Sequence, residues 1–103
     1  MYNVEYLPSA VRDLSEIVRY IRSELDNPTA AQRLAEKLMD AAEQLAEFPY
    51  AHPVYVPIHP LKTEYRKIVV QNYLLFYSVD EQTKTVLVAR VIYGKRNIER
   101  TLS

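Results

Sequence analysis

The sequence predicts an α+β fold: an N-terminal strand, an antiparallel two-helix hairpin, and a twisted antiparallel sheet on which the hairpin packs (β-α-α-β-β-β). Three observations predict it. Apolar residues recur at spacings of three and four through the first half of the chain, the period of a helix buried along one stripe. After residue 65 the pattern turns β-branched and aromatic with polar interruptions, the pattern of strands. A stretch holding four prolines, Pro49, Pro53, Pro57 and Pro60, separates the two regimes.

Each element has its own signal. Residues 2 to 6 alternate and stop before Pro8, which reads as a short strand. From Ser9 the residues Ala10, Leu14, Ile17, Val18, Ile21 and Leu25 form one helical stripe, with Arg12, Asp13, Glu16, Arg19 and Arg22 largely off it. Asp26-Asn27-Pro28 then breaks the chain. Asn27 suits an N-cap, and Pro28 suits a first helical position, where its missing N–H has no partner to lose. The second helix runs to about Phe48 on Ala31, Leu34, Leu38, Ala42, Leu45 and Phe48, and Pro49 stops it. Its many alanines raise helix propensity and allow a neighbouring helix to approach closely. Strands are expected over Tyr65 to Gln71, Tyr73 to Val79 and Thr85 to Tyr93, joined by tight turns into a meander. Gly94, the only glycine, ends the last strand, with a positive φ or a bulge as the expected reason.

The 103 residues form one domain, 1–103, of ordinary globular composition, with 13 basic and 13 acidic side chains. The balance hides an asymmetry. Residues 1 to 52 hold five basic and nine acidic side chains, and residues 53 to 103 hold eight basic and four acidic. Such a chain carries a dipolar surface if its halves form different faces. Without cysteine there are no disulfides or thiolate metal sites. A single glycine excludes Gly-rich phosphate cradles. No apolar run approaches the roughly 20 residues of a membrane helix. The expectation is a cytoplasmic protein that uses no cofactor, metal or membrane.

The residues able to do chemistry gather in the basic half. Tyr93, Lys95 and Arg96 stand at the exit of the last strand, where two cations beside a phenol suit phosphate binding and proton transfer, or form a solvated turn. Arg66 and Arg90 each place a guanidinium in an apolar strand row. Each needs a partner, an edge or a wet groove, because an isolated buried charge is costly. An ion pair to Asp13 or Glu16 and a functional groove are both open readings. Nine tyrosines, Tyr73 and Tyr93 among them, suit base stacking as well as strand packing and protein interfaces. His52 and His59 lie seven apart without acidic companions, so a metal site is not expected.

Three segments carry a family resemblance: Tyr65-Arg66-Lys67-Ile68-Val69-Val70, Asn72 to Val79, and Val88-Ala89-Arg90-Val91-Ile92-Tyr93-Gly94-Lys95-Arg96-Asn97. Pro8-Ser9-Ala10 with Asp13-Leu14, and the stretch from Asn27-Pro28 to Phe48-Pro49, extend it over nearly the whole chain. Together they resemble the RelE/ParE toxin superfamily, the toxin halves of type II toxin–antitoxin pairs, often labelled plasmid stabilisation proteins. The resemblance implies a growth-inhibiting bacterial toxin held inactive by a cognate antitoxin, in a toxin–antitoxin hetero-oligomer. RelE-like members cut messenger RNA on the ribosome, and ParE-like members are described as inhibitors of DNA gyrase.

The cutting chemistry can be followed residue by residue. It needs a base, an acid and cations on the phosphate. RelE-like enzymes carry an Arg in the strand matching Tyr73–Tyr77, and that position here is Leu74. Tyr93 is the nearest match to a His or Tyr near the end of the last strand. Arg96 matches the Arg after the glycine turn, and Lys62 lies where members carry a helper in the pre-strand loop, with His59 close by. A C-terminal Tyr of some members is absent, with Leu102 near its place. Tyr93, Arg96 and Lys62 are therefore the candidate catalytic residues, and Arg66, Arg90, Lys95 and Tyr73 the candidate target-binding set. The incomplete cutting set leans toward gyrase inhibition. The alternatives are a ribosome-dependent messenger endonuclease and a decayed toxin that serves as an interaction domain. The geometric expectation is that Arg66, Arg90 and Arg96 share one cationic hollow.

Overall fold

A computed structural model describes residues 1–95 and 98–102, with residues 99 and 100 described through their backbone alone. The chain runs β1 (Asn3–Tyr6), α1 (Pro8–Arg19), a π turn (Tyr20–Glu24), α2 (Pro28–Glu43), a 3-10 turn (Gln44–Ala46), β2 (Arg66–Val70), β3 (Tyr73–Asp80), β4 (Thr85–Tyr93) and α3 (Ile98–Leu102). The predicted α+β order holds. The short closing helix α3 had no sequence signal of its own.

Local chemistry places the helices where the sequence points. Pro8 and Pro28 each open a helix, and the Asn27 side chain accepts the Ala30 N–H at 3.1 Å. That cap is worth about 1 kcal/mol. The end of α1 differs from expectation. Regular helix stops at Arg19, and a wider turn comes next, with the Leu25 N–H donating to the Tyr20 carbonyl. Asp26 then takes a left-handed φ of 48°, which reverses the chain into α2.

The sheet order is β1-β4-β3-β2. β2, β3 and β4 form the expected antiparallel meander, and β1 adds in parallel to β4, with Asn3 opposite Thr85 and Tyr6 opposite Val88. One face buries Ile68, Leu75, Tyr77, Val86, Val88 and Val91 against Ala10, Ile21, Ala31, Leu34, Leu38, Ala42 and Leu45 of the helical half. The other face is smaller. Phe76, Ile92 and Leu102 form its centre, and Tyr55, Leu61, Tyr65, Leu74 and Ile98 pack around them. The proline-rich stretch therefore covers a second core. Tyr55 meets Phe76 edge-on at 5.4 Å, the Tyr55 N–H donates to the Tyr65 carbonyl, and the Lys67 N–H donates to the Pro53 carbonyl.

An irregularity in β4 reverses the facing of the residues beyond it. Tyr77 pairs with Val88 and Phe76 pairs with Arg90, so Ala89 is an extra residue. One extra residue inverts the two-residue alternation. Val86 and Val88 face the helices before it, and Val91 faces them after it. Arg90 thus leaves the Val86/Val88 row in which its sequence spacing placed it, and shares a face with its cross-strand partner Phe76. Gly94 is a second correction. Its φ is not positive. Its N–H donates to the Asn72 carbonyl at 2.8 Å, and a Cβ there would stand 3.3 Å from that oxygen. The glycine permits close approach of two backbones.

Candidate functional site

β1 ends at Tyr6, so the edge of β4 beyond Val88 loses its strand neighbour. The chain entering α1 takes over that edge. The Leu7 N–H donates to the Val88 carbonyl, Ser9 Oγ donates to the Ala89 carbonyl at 2.7 Å, and Asp13 Oδ2 accepts the Val91 N–H at 2.9 Å. Asp13 is buried at 7% exposure and also holds Arg90, with Nε 2.7 Å from Oδ2 and the second guanidinium nitrogen 2.9 Å from Oδ1. The remaining guanidinium nitrogen donates to the Thr101 carbonyl in α3 at 3.2 Å. The hydrogen bond to Asp13 raises the Arg90 pKa further above its ordinary value. Arg90 is thus spent inside the fold, joining α1, β4 and α3. Sequence reading keeps this ion pair open but places Asp13 largely off the apolar stripe. Its place three residues after Ala10, on the buried stripe, is the signal that points inward.

Arg66 stands elsewhere. Its register partner is Tyr77, on the helical face, whereas Arg90 pairs with Phe76 on the opposite face. Arg66 donates to the His52 carbonyl at 2.7 Å and lies 4.9 Å from the Tyr50 ring. It opens on a depression of about 510 Å³ that also holds Glu64, Asp80 and Glu81. The expected common hollow of Arg66 and Arg90 does not form, because the sheet lies between them and each is bound to different elements. Arg96 lies outside the described residues. Lys62 is exposed in the loop before β2, and Lys95 is exposed after Gly94.

The structure does bring Tyr73 and Tyr93 together. They are cross-strand partners with ring centroids 5.7 Å apart and planes at 66°. Burial, with Tyr93 and Tyr20 nearby, raises the Tyr73 pKa, which keeps the phenol neutral. Both rings line a groove of about 800 Å³ between the end of β4 and the α1–α2 hairpin. Its floor is apolar, with Ile17, Ile21, Leu25, Leu34 and Val91, and its wall carries Asp13 and Glu16. Tyr20 stands at the same groove, a residue that no sequence motif singles out.

At the opposite end of β3 and β4, a second set of tyrosines is tied down. Tyr2 and Tyr50 both donate to Glu81 Oε2, and Lys84 pairs with Oε1. These bonds lower the Glu81 pKa to about 2 and push the Tyr50 pKa up to about 12. This cluster closes the start of the chain and the loop after α2 onto the β3–β4 turn.

Among the described residues no group of acids and histidines could hold a metal, and no helix is long and apolar enough to cross a membrane. No curated protein sequence matches the chain. Solved structures resemble it in fold. A chain of the chromosomal ParDE toxin–antitoxin system of P. aeruginosa superposes with a TM-score of 0.74 at 14% identity, over 92% of this chain and 98% of that one. A chain of the RelBE2 toxin–antitoxin complex of Mycobacterium tuberculosis has a TM-score of 0.65 at 20% identity, over 89% and 96%. The isolated E. coli RelE toxin has a TM-score of 0.56 at 17% identity, over 98% and 93%. The family model described as the ParE toxin of the type II toxin–antitoxin system, parDE, matches residues 4–98. With its helical hairpin laid on a four-stranded sheet and that match over nearly its whole length, the chain belongs to the ParE toxins of type II toxin–antitoxin systems, within the RelE/ParE superfamily.

Proposed function

We propose that this toxin arrests growth by binding DNA gyrase and not by cutting RNA, and that a cognate antitoxin relieves the arrest. The observation that carries the reading is Leu74. RelE-like members carry an Arg at the matching position, and here an apolar side chain packs against Phe76 and Ile92. A leucine there supplies no charge for a phosphate in the transition state. Two further features support it. Arg90 is held by Asp13 and the Thr101 carbonyl. Tyr93 stands against a second phenol, in a groove lined by no lysine or arginine among the described residues. Tyr93, Arg96 and Lys62 remain the set that a cutting mechanism would need, and Arg66, Lys95 and Tyr73 remain candidates for contact with the target.

Binding and cutting are separable in the test tube. The purified protein at micromolar excess is expected to inhibit supercoiling by purified gyrase and to leave messenger intact in a translating extract. Cleaved messenger in that extract, lost in Arg96→Ala, would replace this reading with the endonuclease. Normal growth of cells expressing the chain alone would replace it with the decayed toxin.

The partner reading draws on the toxin–antitoxin complex among the similar structures. An antitoxin encoded beside the toxin, with an acidic segment, suits the basic half of the chain. Its affinity should fall as salt rises. An affinity independent of salt would assign the contact to apolar surface.

A further inference from the structure

The outer face of α1 is cationic, although it belongs to the acidic half of the chain. Residues 1 to 52 hold five basic and nine acidic side chains. Three of those five, Arg12, Arg19 and Arg22, line one depression of about 400 Å³ together with Val11, Ser15 and Glu16. All six residues are exposed. Their spacing explains the gathering. Arg12, Ser15, Arg19 and Arg22 follow one another at three, four and three residues, on the side of the helix away from Ala10 and Ile17, which pack into the main core.

The fold does not use these arginines. None of the three makes a hydrogen bond or an ion pair among the described residues. Glu16 stands within one turn of Arg12 and of Arg19 and pairs with neither among the described residues, while its charge acts on Arg90. No other carboxylate lines the depression. Three guanidiniums against one carboxylate leave it positive, and its ligand is therefore an anion.

Guanidinium groups bind carboxylates and phosphates alike through paired N–H donors. Three observations favour carboxylates on a protein segment over nucleic acid. A nucleic-acid backbone carries a charge at every nucleotide and would set phosphates against Glu16 as well as the arginines. Val11 is 50% exposed within the depression and offers an apolar contact that a phosphate backbone leaves unused. The rest of this half of the chain is acidic and repels a long polyanion.

We propose that the outer face of α1 docks an acidic segment of a protein partner, whose carboxylates meet Arg12, Arg19 and Arg22 and whose apolar side chain covers Val11. Arg12 and Arg19 lie two turns apart, roughly 10 Å along the axis. Carboxylates seven residues apart on a partner helix have the same separation. The segment is expected to carry that pair and to lack an acid midway, where Glu16 stands. This inference goes beyond the gyrase and antitoxin readings, which call on the basic half of the chain, and it holds or fails apart from them.

Two helical peptides of alanine and glutamine with one leucine test it. One carries two glutamates seven residues apart, and the other has glutamine at both places. Each is titrated into the full chain, and arginine side-chain N–H signals are followed by NMR. The glutamate peptide should shift the Arg12 and Arg19 signals and bind about tenfold more tightly at low salt, the size of two exposed ion pairs together. That advantage should shrink as salt rises. Arg12→Gln combined with Arg19→Gln should bring the ratio close to one. Arg33→Gln combined with Lys37→Gln, on the exposed side of α2, should leave it unchanged. Glu16→Gln should tighten the glutamate peptide. All these positions are exposed, so the variants should fold. Equal binding of the two peptides, or an advantage that survives loss of both arginines, would overturn the proposal. So would a thymidine oligonucleotide that binds more tightly than the glutamate peptide through the same arginines, and nucleic acid would then be the ligand.

Discussion

The two ends of the β3–β4 hairpin carry tyrosines in equal prominence and use them in opposite ways. About 23 Å apart by strand rise, one end locks Tyr2 and Tyr50 onto Glu81, with Lys84 and Arg66 against the rings. At the other end Tyr20, Tyr73 and Tyr93 line an apolar groove and make no hydrogen bond among the described residues. The contrast arises from a carboxylate. Where Glu81 is present, phenols and cations satisfy one another and the cluster serves the fold. Where the nearby buried carboxylate, Asp13, is already taken by Arg90, it accepts no hydrogen bond from those phenols among the described residues. Residue type alone does not distinguish a tyrosine cluster tied to a carboxylate from one left at the mouth of a groove. The accounting of charge around it does.

The largest expected effect comes from the pair behind the open end. Asp13→Ala leaves Arg90 without its carboxylate and the Val91 N–H without an acceptor, and should cost about 3 kcal/mol in urea unfolding. Asp13→Asn keeps an acceptor for that N–H and should cost less. Equal stability of wild type and Asp13→Ala would mean that the groove end needs no lock. Tyr77→Phe comes next. It removes a buried hydroxyl that donates to the Pro49 carbonyl at 2.7 Å, and should cost about 1 kcal/mol, with faster proteolysis between residues 49 and 56.

Smaller effects belong to the locked end, where water screens the charges. Glu81 is held near a pKa of about 2 against an ordinary value of 4.5. A lowered carboxylate pKa adds stability that is complete above the ordinary value and lost as pH falls toward the folded one. Thermal midpoints should therefore drop between pH 4.5 and about 2 in the wild type, and that part of the slope should vanish in Glu81→Gln. Tyr50 runs the other way. Its pKa rises from 10.0 to about 12, so its contribution is complete below pH 10 and fades as pH rises toward 12. Tyr50→Phe should flatten that alkaline limb, by the smallest change of the series.

Much of the fold is legible residue by residue. The spacing of Ala10, Leu14, Ile17 and Ile21 predicts α1, Asn27-Pro28 predicts the start of α2, and the interruptions at Asn72 and residues 80–84 predict the meander. These are local signals, written by capping chemistry and by the helix and strand periods. The site is less legible. Arg66 and Arg90 stand out in the sequence as cations in apolar rows, but placing them in one hollow assumes unbroken alternation along β4. A single extra residue at Ala89 inverts that alternation, and nothing in Val88-Ala89-Arg90 announces it. The role of Gly94 is hidden for a similar reason. Its neighbour is the Asn72 carbonyl, some twenty residues earlier in the chain, and no local pattern contains that contact.

The sequence by itself determined the kind and order of the main elements and the family to which they belong, because periodicity, caps and breakers act over a few residues. Only the tertiary structure decided which charges are spent and which phenols are tied down. Those outcomes depend on pairs such as Asp13 with Arg90, Tyr2 with Glu81 and Tyr73 with Tyr93. Partners so far apart in sequence meet only after the sheet has set its register, and the register sets which face each side chain shares.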